Sequence, residues 1–233
     1  MSVSFLRHSG WFGPEMTQGK TLNIVGVGAT GSNIGLLCAK MGFHSFNIWD
    51  ADIVESHNLP NQIYETVDIN TKKVDAFERM LTNFNPLIKV NKHDCFFTSE
   101  EHMDQLQEGP LLLTVDTMHA RKDIFSAFKN NFDIEKVFET RVGFNYAELN
   151  ILDNFNALNL QEWYNTLSSD EDIPESPCNM RIITTLTGMI SAYTAHQICD
   201  SVRASYLQED FNYQKKMIFN INEDQNLNTY SIK

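Results

Sequence analysis

The chain has 233 residues, 42% of them hydrophobic and 11% aromatic, enough to bury a full core and too apolar to read as disordered. Its formal net charge of −12 disfavours non-specific attraction to nucleic acid or to an anionic membrane, and no apolar run approaches the roughly 20 residues needed to cross a bilayer. The opening "MSVSFLRHSGWFGPEM" lacks an apolar stretch followed by a small-residue cleavage site, so the expectation is a cytoplasmic protein with no nucleic-acid or membrane partner.

The predicted elements alternate. "LNIVGV" reads as a short buried strand feeding a glycine loop, and "TGSNIGLLCAKMGF" as a helix that stops at Gly42. "SFNIWDAD" is a second strand ending in acids. "VDAFERMLTNFNP" is a helix closed by Asn85 and Pro86, and "LIKVNKHD" is a third strand, followed by a helical stretch around "SEEHMDQLQE". "PLLLTVDT" reads as a fourth strand ending in an acid, with "HARKDIFSAFKNN" as the helix after it. This alternation predicts an α/β fold, a Rossmann-like, mainly parallel sheet wound by helices.

From about residue 136 the pattern changes. "KVFETRVG" and "AELNILD" look like consecutive strands, "SSDEDIPESP" reads as an exposed acidic loop, and "CNMRIITTLTGMISAYTAHQICDSVRASYL" is the longest helical run. "KKMIFNIN" and "NTYSIK" close the chain as a terminal hairpin. The expectation is one domain over residues 1–233, with a nucleotide-binding core at 21–125. Residues 136–233 supply C-terminal antiparallel strands, a crossover loop and the long helix.

The chemistry concentrates in "TLNIVGVGATGSN". In a strand-loop-helix unit, Gly26 makes the turn, Gly28 lets a ligand approach the backbone and Gly31 lets helix and strand pack closely. The helix N-terminus, through Ala29, Thr30 and Gly31, offers free N–H groups and the positive end of its dipole to a phosphate. Asp50, about 20 residues past the loop at the end of the second strand, is placed to accept hydrogen bonds from a ribose; the lesser alternative is a solvated strand-end carboxylate. This much suits a dinucleotide-binding oxidoreductase as well as an ATP enzyme.

The residues beyond Asp50 narrow the choice. "WDADIVESHNLPNQIY" carries Asp52, Asn58 and Gln62, Lys73 opens the next helix in "TKKVDAF", and Asp116 in "VDTMHAR" precedes Arg121 by five residues. This series resembles the family of ThiF, MoeB and the ubiquitin-activating enzymes: a Gly-x-Gly-x-x-Gly loop, Asp-x-Asp-x-Val, Asn-Leu-x-Arg-Gln, a lysine opening a helix that ends near Asn-Pro, and an aspartate with an arginine five residues on. The resemblance covers residues 21 to 125 and continues more loosely through "SPCNMRIITTLTGMISA". It implies an adenylyltransferase that activates the C-terminal glycine of a ubiquitin-like or sulfur-carrier protein, using ATP and Mg²⁺, and that works as a homodimer. Carried over by position, it gives Asp50 the ribose, Asn58 and Gln62 contacts around the nucleotide, Lys73 a phosphate and Asp116 the Mg²⁺. Such a site must supply cations, because attack of a carboxylate on the α-phosphate brings two anions together.

One position departs from the pattern: the phosphate-binding arginine of Asn-Leu-x-Arg-Gln is Asn61 here. Losing that cation could cost a few kcal/mol of transition-state stabilisation. Lys72 is a candidate replacement, and so is Arg7 in "FLRHSG", since in the family an N-terminal arginine reaches into the partner subunit's site. A non-catalytic scaffold that binds a nucleotide or a protein tail therefore stays open beside the enzyme.

The four cysteines, Cys38, Cys95, Cys178 and Cys199, include no Cys-x-x-Cys pair. No structural zinc or disulfide framework is expected. Cys178, ahead of the long helix, matches the position where some family members carry the activated carboxyl as a thioester or persulfide. A helix dipole would lower its thiol pKa, whereas a plain buried cysteine would have no such role.

Overall fold

The computed structural model describes residues 3–168, 183–222, 224 and 226–232. Eight strands form one sheet in the order β3-β2-β1-β4-β5-β6-β7-β8. Strands β1 (Leu22–Val25), β2 (Ser45–Trp49), β3 (Lys89–His93), β4 (Leu111–Leu113) and β5 (Lys136–Val142) run parallel. Strands β6 (Tyr146–Asp153), β7 (Lys216–Ile221) and β8 (Leu227–Ile232) extend the sheet antiparallel from β5. The Rossmann-like parallel half and the antiparallel C-terminal strands both follow the sequence pattern.

Alternation along each strand sorts the side chains onto two faces. Leu22 and Ile24, Phe46 and Ile48, Leu112, Phe138, Leu149 and Ile151 share one hydrophobic cluster. The helices α1 (Ala29–Met41), α2 (Lys73–Phe84) and α6 (Ile183–Leu207) supply its other half through Ile34, Phe77, Leu81, Ile190 and Ile198. On the opposite face Val25, Leu111, Leu113, Val137 and Leu152 pack with Ile124 and Phe128 of α4 (Met118–Phe128) and with Leu160 and Trp163 of α5 (Ala157–Tyr164). No helix among the described residues is long and apolar enough to span a membrane.

Three local features differ from the sequence reading. The stretch "SEEHMDQLQE" folds as a single turn, α3 (Ser99–His102), followed by a 3-10 turn at Met103–Gln105; two adjacent acids in its first turn suit a helix start, but no apolar stripe sustains it. The helix α5, only two turns long, has no counterpart in the sequence pattern; Asn156 caps it by accepting from the Asn159 N–H. Strand β4 ends at Leu113, so Asp116 does not end a strand but lies three residues beyond, exposed in a bend. Thr114, next after the strand, still donates its N–H to the Val25 carbonyl. Its hydroxyl turns back to donate to the Val25 and Gly26 carbonyls of the neighbouring strand and turn.

The glycine turn is set by backbone geometry. Gly26 has φ +93°, a conformation that disfavours any side chain. A Cβ on Gly31 would fall well inside contact with the Gly26 carbonyl and 2.5 Å from the Thr114 hydroxyl. Alanine is the better helix former by about 1 kcal/mol, but overpacking against fixed backbone costs about 1–3 kcal/mol, and the clash dominates because a carbonyl cannot step aside. Gly31→Ala is predicted to lower stability by about 2 kcal/mol, read as a lower urea midpoint with an unchanged slope; an unshifted midpoint would show that α1 can slide away from β1.

Candidate nucleotide site

In the strand order, β1 and β4 are neighbours whose following connections leave in opposite directions. Such a switch point opens a crevice at the carboxyl ends of the strands. The Gly26–Gly31 turn leaves β1 there, and the Asp116 bend leaves β4 there. Gly28 is the residue before α1, and among the described residues no side chain caps the helix and a Cβ added at Gly28 would meet nothing within 4 Å. The N–H groups of the first turn, at Ala29, Thr30 and Gly31, thus carry the unsatisfied donors and positive dipole that favour an anion.

Asp50 follows β2 directly. One carboxylate oxygen accepts from the Val27 N–H at 2.8 Å, and the other from the Asp52 N–H at 2.9 Å. These bonds tie the strand-end carboxylate to the glycine turn. Burial pushes its pKa up, and Lys73 together with the two backbone N–H groups only partly offsets that.

Lys73 is the first residue of α2 and is buried, with its ammonium 2.7 Å from the Asp52 carboxylate. Its N–H also donates to the Asp52 carbonyl, so the second acid of the motif aims this lysine. An ammonium has three donors, and this pairing occupies one. The buried Tyr64 hydroxyl donates to the Val27 carbonyl at 2.6 Å, bracing the turn from below. Asp52, Asn58 and Lys73 line a cleft of about 280 Å³ with Ile53, Glu55 and His57.

The structure therefore brings Gly26, Gly28, Ala29, Thr30, Gly31, Asp50, Asp52, Asn58 and Lys73 to one edge of the sheet. Asn61 and Gln62 follow Asn58 in a turn in which both donate their N–H groups to the Asn58 carbonyl. Asn33 of α1 bridges the Ala29 and Asn61 carbonyls through its side-chain amide. The side-chain oxygens of Asn61 and Gln62, and the Ser32 hydroxyl, are buried without a hydrogen-bond partner among the described residues. Polar atoms left in this condition are costly, and of the three only the Ser32 hydroxyl could donate to an anion.

Other candidates are placed differently. Lys72 pairs with Asp94 at 3.3 Å. Arg7 is exposed, on a segment anchored elsewhere: Trp11 stacks on His196 of α6, and Phe12 packs by Phe43 beyond the C-terminal end of α1. Within one chain, Arg7 is not part of the cleft lining. Cys178 lies outside the described residues. Cys38 and Cys199 are buried, as plain core cysteines are. A larger cavity of about 440 Å³ sits at the opposite, N-terminal edge of the parallel strands, lined by residues such as Pro110, Lys136 and Tyr213; it lacks the glycine turn and the motif acids.

One group at the site escaped the sequence reading. Glu139, in the middle of β5, is fully buried. One of its oxygens accepts from Arg121 Nε at 2.6 Å and Arg141 Nε at 2.7 Å; the other accepts from Asn150 at 2.7 Å and Trp163 at 3.2 Å. Burial by itself would push this carboxyl up, but the two guanidiniums outweigh it and hold the pKa below the usual glutamate value. The signal was present in "FETRV": a glutamate and an arginine two apart in a strand share a face.

The ThiF family model matches residues 17–231. Among curated proteins, ubiquitin-like modifier-activating enzyme 5 of Bombyx mori is 29% identical over 143 residues, covering 56% of this chain and 36% of that protein. The enzyme of the same name from Drosophila willistoni is 33% identical over 127 residues, covering 48% and 31%. The matched stretch thus spans only about a third of these relatives. Among solved structures, PaaA shares the fold at a TM-score of 0.70 and 19% identity, and E. coli MccB with ATP at 0.68 and 13%; each covers 94% of this chain and 66% of the other. With the glycine turn, the motif acids and the buried lysine gathered at one switch point and the family model matched along nearly the whole sequence, the chain belongs to the ThiF family.

Proposed function

We propose that the chain is an ATP-dependent adenylyltransferase that activates the C-terminal carboxylate of a ubiquitin-like or sulfur-carrier protein as an acyl-adenylate. The observation that carries this reading is the convergence of an uncapped helix N-terminus, the Asp50 carboxylate and the buried Lys73 ammonium on one edge of the sheet. The family match, the relatives named as modifier-activating enzymes and the fold shared with MccB, which has been solved with ATP and with MccA, support it. On this reading residues 1–233 act as one adenylation domain, in a homodimer.

The nucleotide's phosphates lie against the N–H groups of Gly28 to Gly31, and its ribose hydroxyls donate to Asp50. Lys73 spends its remaining donors on phosphate oxygens, and Asn58 and Gln62 flank the nucleotide. One oxygen of the carrier's tail carboxylate attacks the α-phosphorus. The bond from that phosphorus to the bridging oxygen breaks, and pyrophosphate leaves with the electron pair. The residues also fit Mg²⁺, which is commonly held by one or two carboxylates together with substrate phosphates. Asp116 is an exposed carboxylate at the switch point and would hold the ion together with the substrate's phosphates; no group of three or more potential protein ligands occurs among the described residues. When bound, the ion would neutralise phosphate charge.

A second reading, a nucleotide-binding scaffold without catalysis, is favoured by Asn61, which puts a neutral amide where the family carries an arginine. On the enzymatic reading that charge comes from Lys72, displaced from Asp94, or from Arg7 of a second copy.

Calorimetry in Mg²⁺ should show ATP binding and little or no NAD binding; tight NAD binding without ATP binding would end the adenylation reading. Asp116→Ala should abolish pyrophosphate exchange, measured with a ubiquitin-like protein ending in glycine, while leaving the thermal midpoint in place; unchanged exchange would make Asp116 structural. Because an ionised carboxylate is a stronger acceptor for ribose hydroxyls than a protonated one and burial raises the Asp50 pKa, ATP affinity should fall on acidification, beginning above the usual aspartate range. Titrations at stepped pH should lose that dependence in Asp50→Asn, and an identical pH profile in the variant would remove Asp50 from the ribose contact.

A further inference from the structure

The buried Glu139 cluster reaches both walls of the proposed nucleotide site. Arg121, whose Nε is bound by Glu139, donates from one terminal nitrogen to the Thr117 carbonyl at 3.2 Å and from the other to the Thr140 carbonyl at 3.3 Å. Thr117 is the residue after Asp116 and caps α4 by accepting from the Ala120 N–H. Thr140, next to Glu139 on β5, donates its hydroxyl to the Thr30 hydroxyl at 3.1 Å, in the first turn of α1. Among the described residues the last ladder bond of β4 runs from the Thr114 N–H to the Val25 carbonyl, and beyond the Asp116 bend the Thr117 carbonyl accepts both the first backbone bond of α4, from the Arg121 N–H, and the Arg121 side chain.

We propose that Glu139 is a positioning residue for the adenylation reaction: through Arg121 it fixes the Thr117 carbonyl, and with it the Asp116 bend, at a set distance from the α1 N-terminus that Thr140 holds through Thr30. Glu139 touches neither nucleotide nor metal. It acts by orienting Arg121, whose fork bonds two carbonyls on separate elements only while its Nε is anchored. Arg141 and Asn150 complete the satisfaction of the buried carboxylate, so the cluster is rigid and the tether short. The inference rests on the reading of Asp116 as the metal-binding carboxylate.

Glu139→Gln tests it, since the amide keeps the shape and removes the charge that anchors two guanidiniums. Val137→Ala, a buried truncation on the same strand, is the control for general loss of stability. In the free proteins, hydrogen exchange at the amides of residues 114–121 should accelerate in Glu139→Gln and stay at the wild-type rate in Val137→Ala. In the pyrophosphate-exchange assay, the Mg²⁺ concentration for half-maximal rate should rise on the order of tenfold in Glu139→Gln, with the carrier's KM unchanged. Glu139→Asp, which keeps the charge on a shorter stem, should recover part of that shift, and it carries the test if Glu139→Gln does not fold. Equal hydrogen exchange in Glu139→Gln and wild type, or an unchanged Mg²⁺ dependence, would overturn the proposal. If wild type shows no Mg²⁺-dependent exchange, the adenylation reading fails and the positioning role falls with it; hydrogen exchange still decides whether Glu139 holds the bend.

Discussion

Gly31 and the Gly26 carbonyl approach so closely that no Cβ fits between them, and Thr114 fills the remaining space from the adjacent strand. That contact fixes the axis of α1 against β1 and β4 and points the uncapped first turn at the crevice between them. Everything else in the site is arranged around that fixed point. Asp50 binds the turn through the Val27 N–H, Tyr64 binds the Val27 carbonyl, and Asn33 ties the helix to the segment that contains Asn61. A phosphate-sized anion would meet donors already in place, so little ordering cost would remain at binding.

The two faces of the sheet contribute unequally. The face under α1, α2 and α6 is the larger apolar cluster and supplies rigidity. The opposite face mixes its apolar side chains with buried polar ones such as Asn23 and Asn47, and among these it carries an ion cluster, Glu139 with Arg121 and Arg141. Buried pairs of this kind add little net stability over an apolar core, yet breaking one costs about 3–5 kcal/mol because a charge is left alone. Four donors on one carboxylate and a forked guanidinium bonding two carbonyls fix directions that methyl groups could not. The location of this cluster, beside the bend after β4, is where a fixed direction matters for the proposed chemistry.

The parallel half of the sheet is legible in the sequence because its strands are short apolar runs that end in glycine or acid, each followed by an amphipathic helix. The glycine turn, Asp50 and Lys73 are legible for the same reason, since strand ends and helix starts place them. The pattern of "LLLTV", apolar almost throughout, places Asp116 at a strand end, and nothing in it shows that Thr114 turns back to the Gly26 carbonyl. The α5 helix was too short to show a period. Of the Glu139 cluster only Arg141, two residues on, shows in the sequence; Asn150 and Trp163 lie 11 and 24 residues away, and side-chain pairing at that separation leaves no trace in local periodicity.

On the proposed reading, the N-terminus of α1 cradles a nucleotide's phosphates while Asp50 holds its ribose. A crystal structure of the chain with a non-hydrolysable ATP analogue and Mg²⁺ would test this directly. Phosphate oxygens should lie within hydrogen-bond distance of the Gly28–Gly31 amides, with both ribose hydroxyls on Asp50. An analogue bound in the 440 Å³ cavity at the opposite edge of the sheet, with the glycine turn bare, would contradict it.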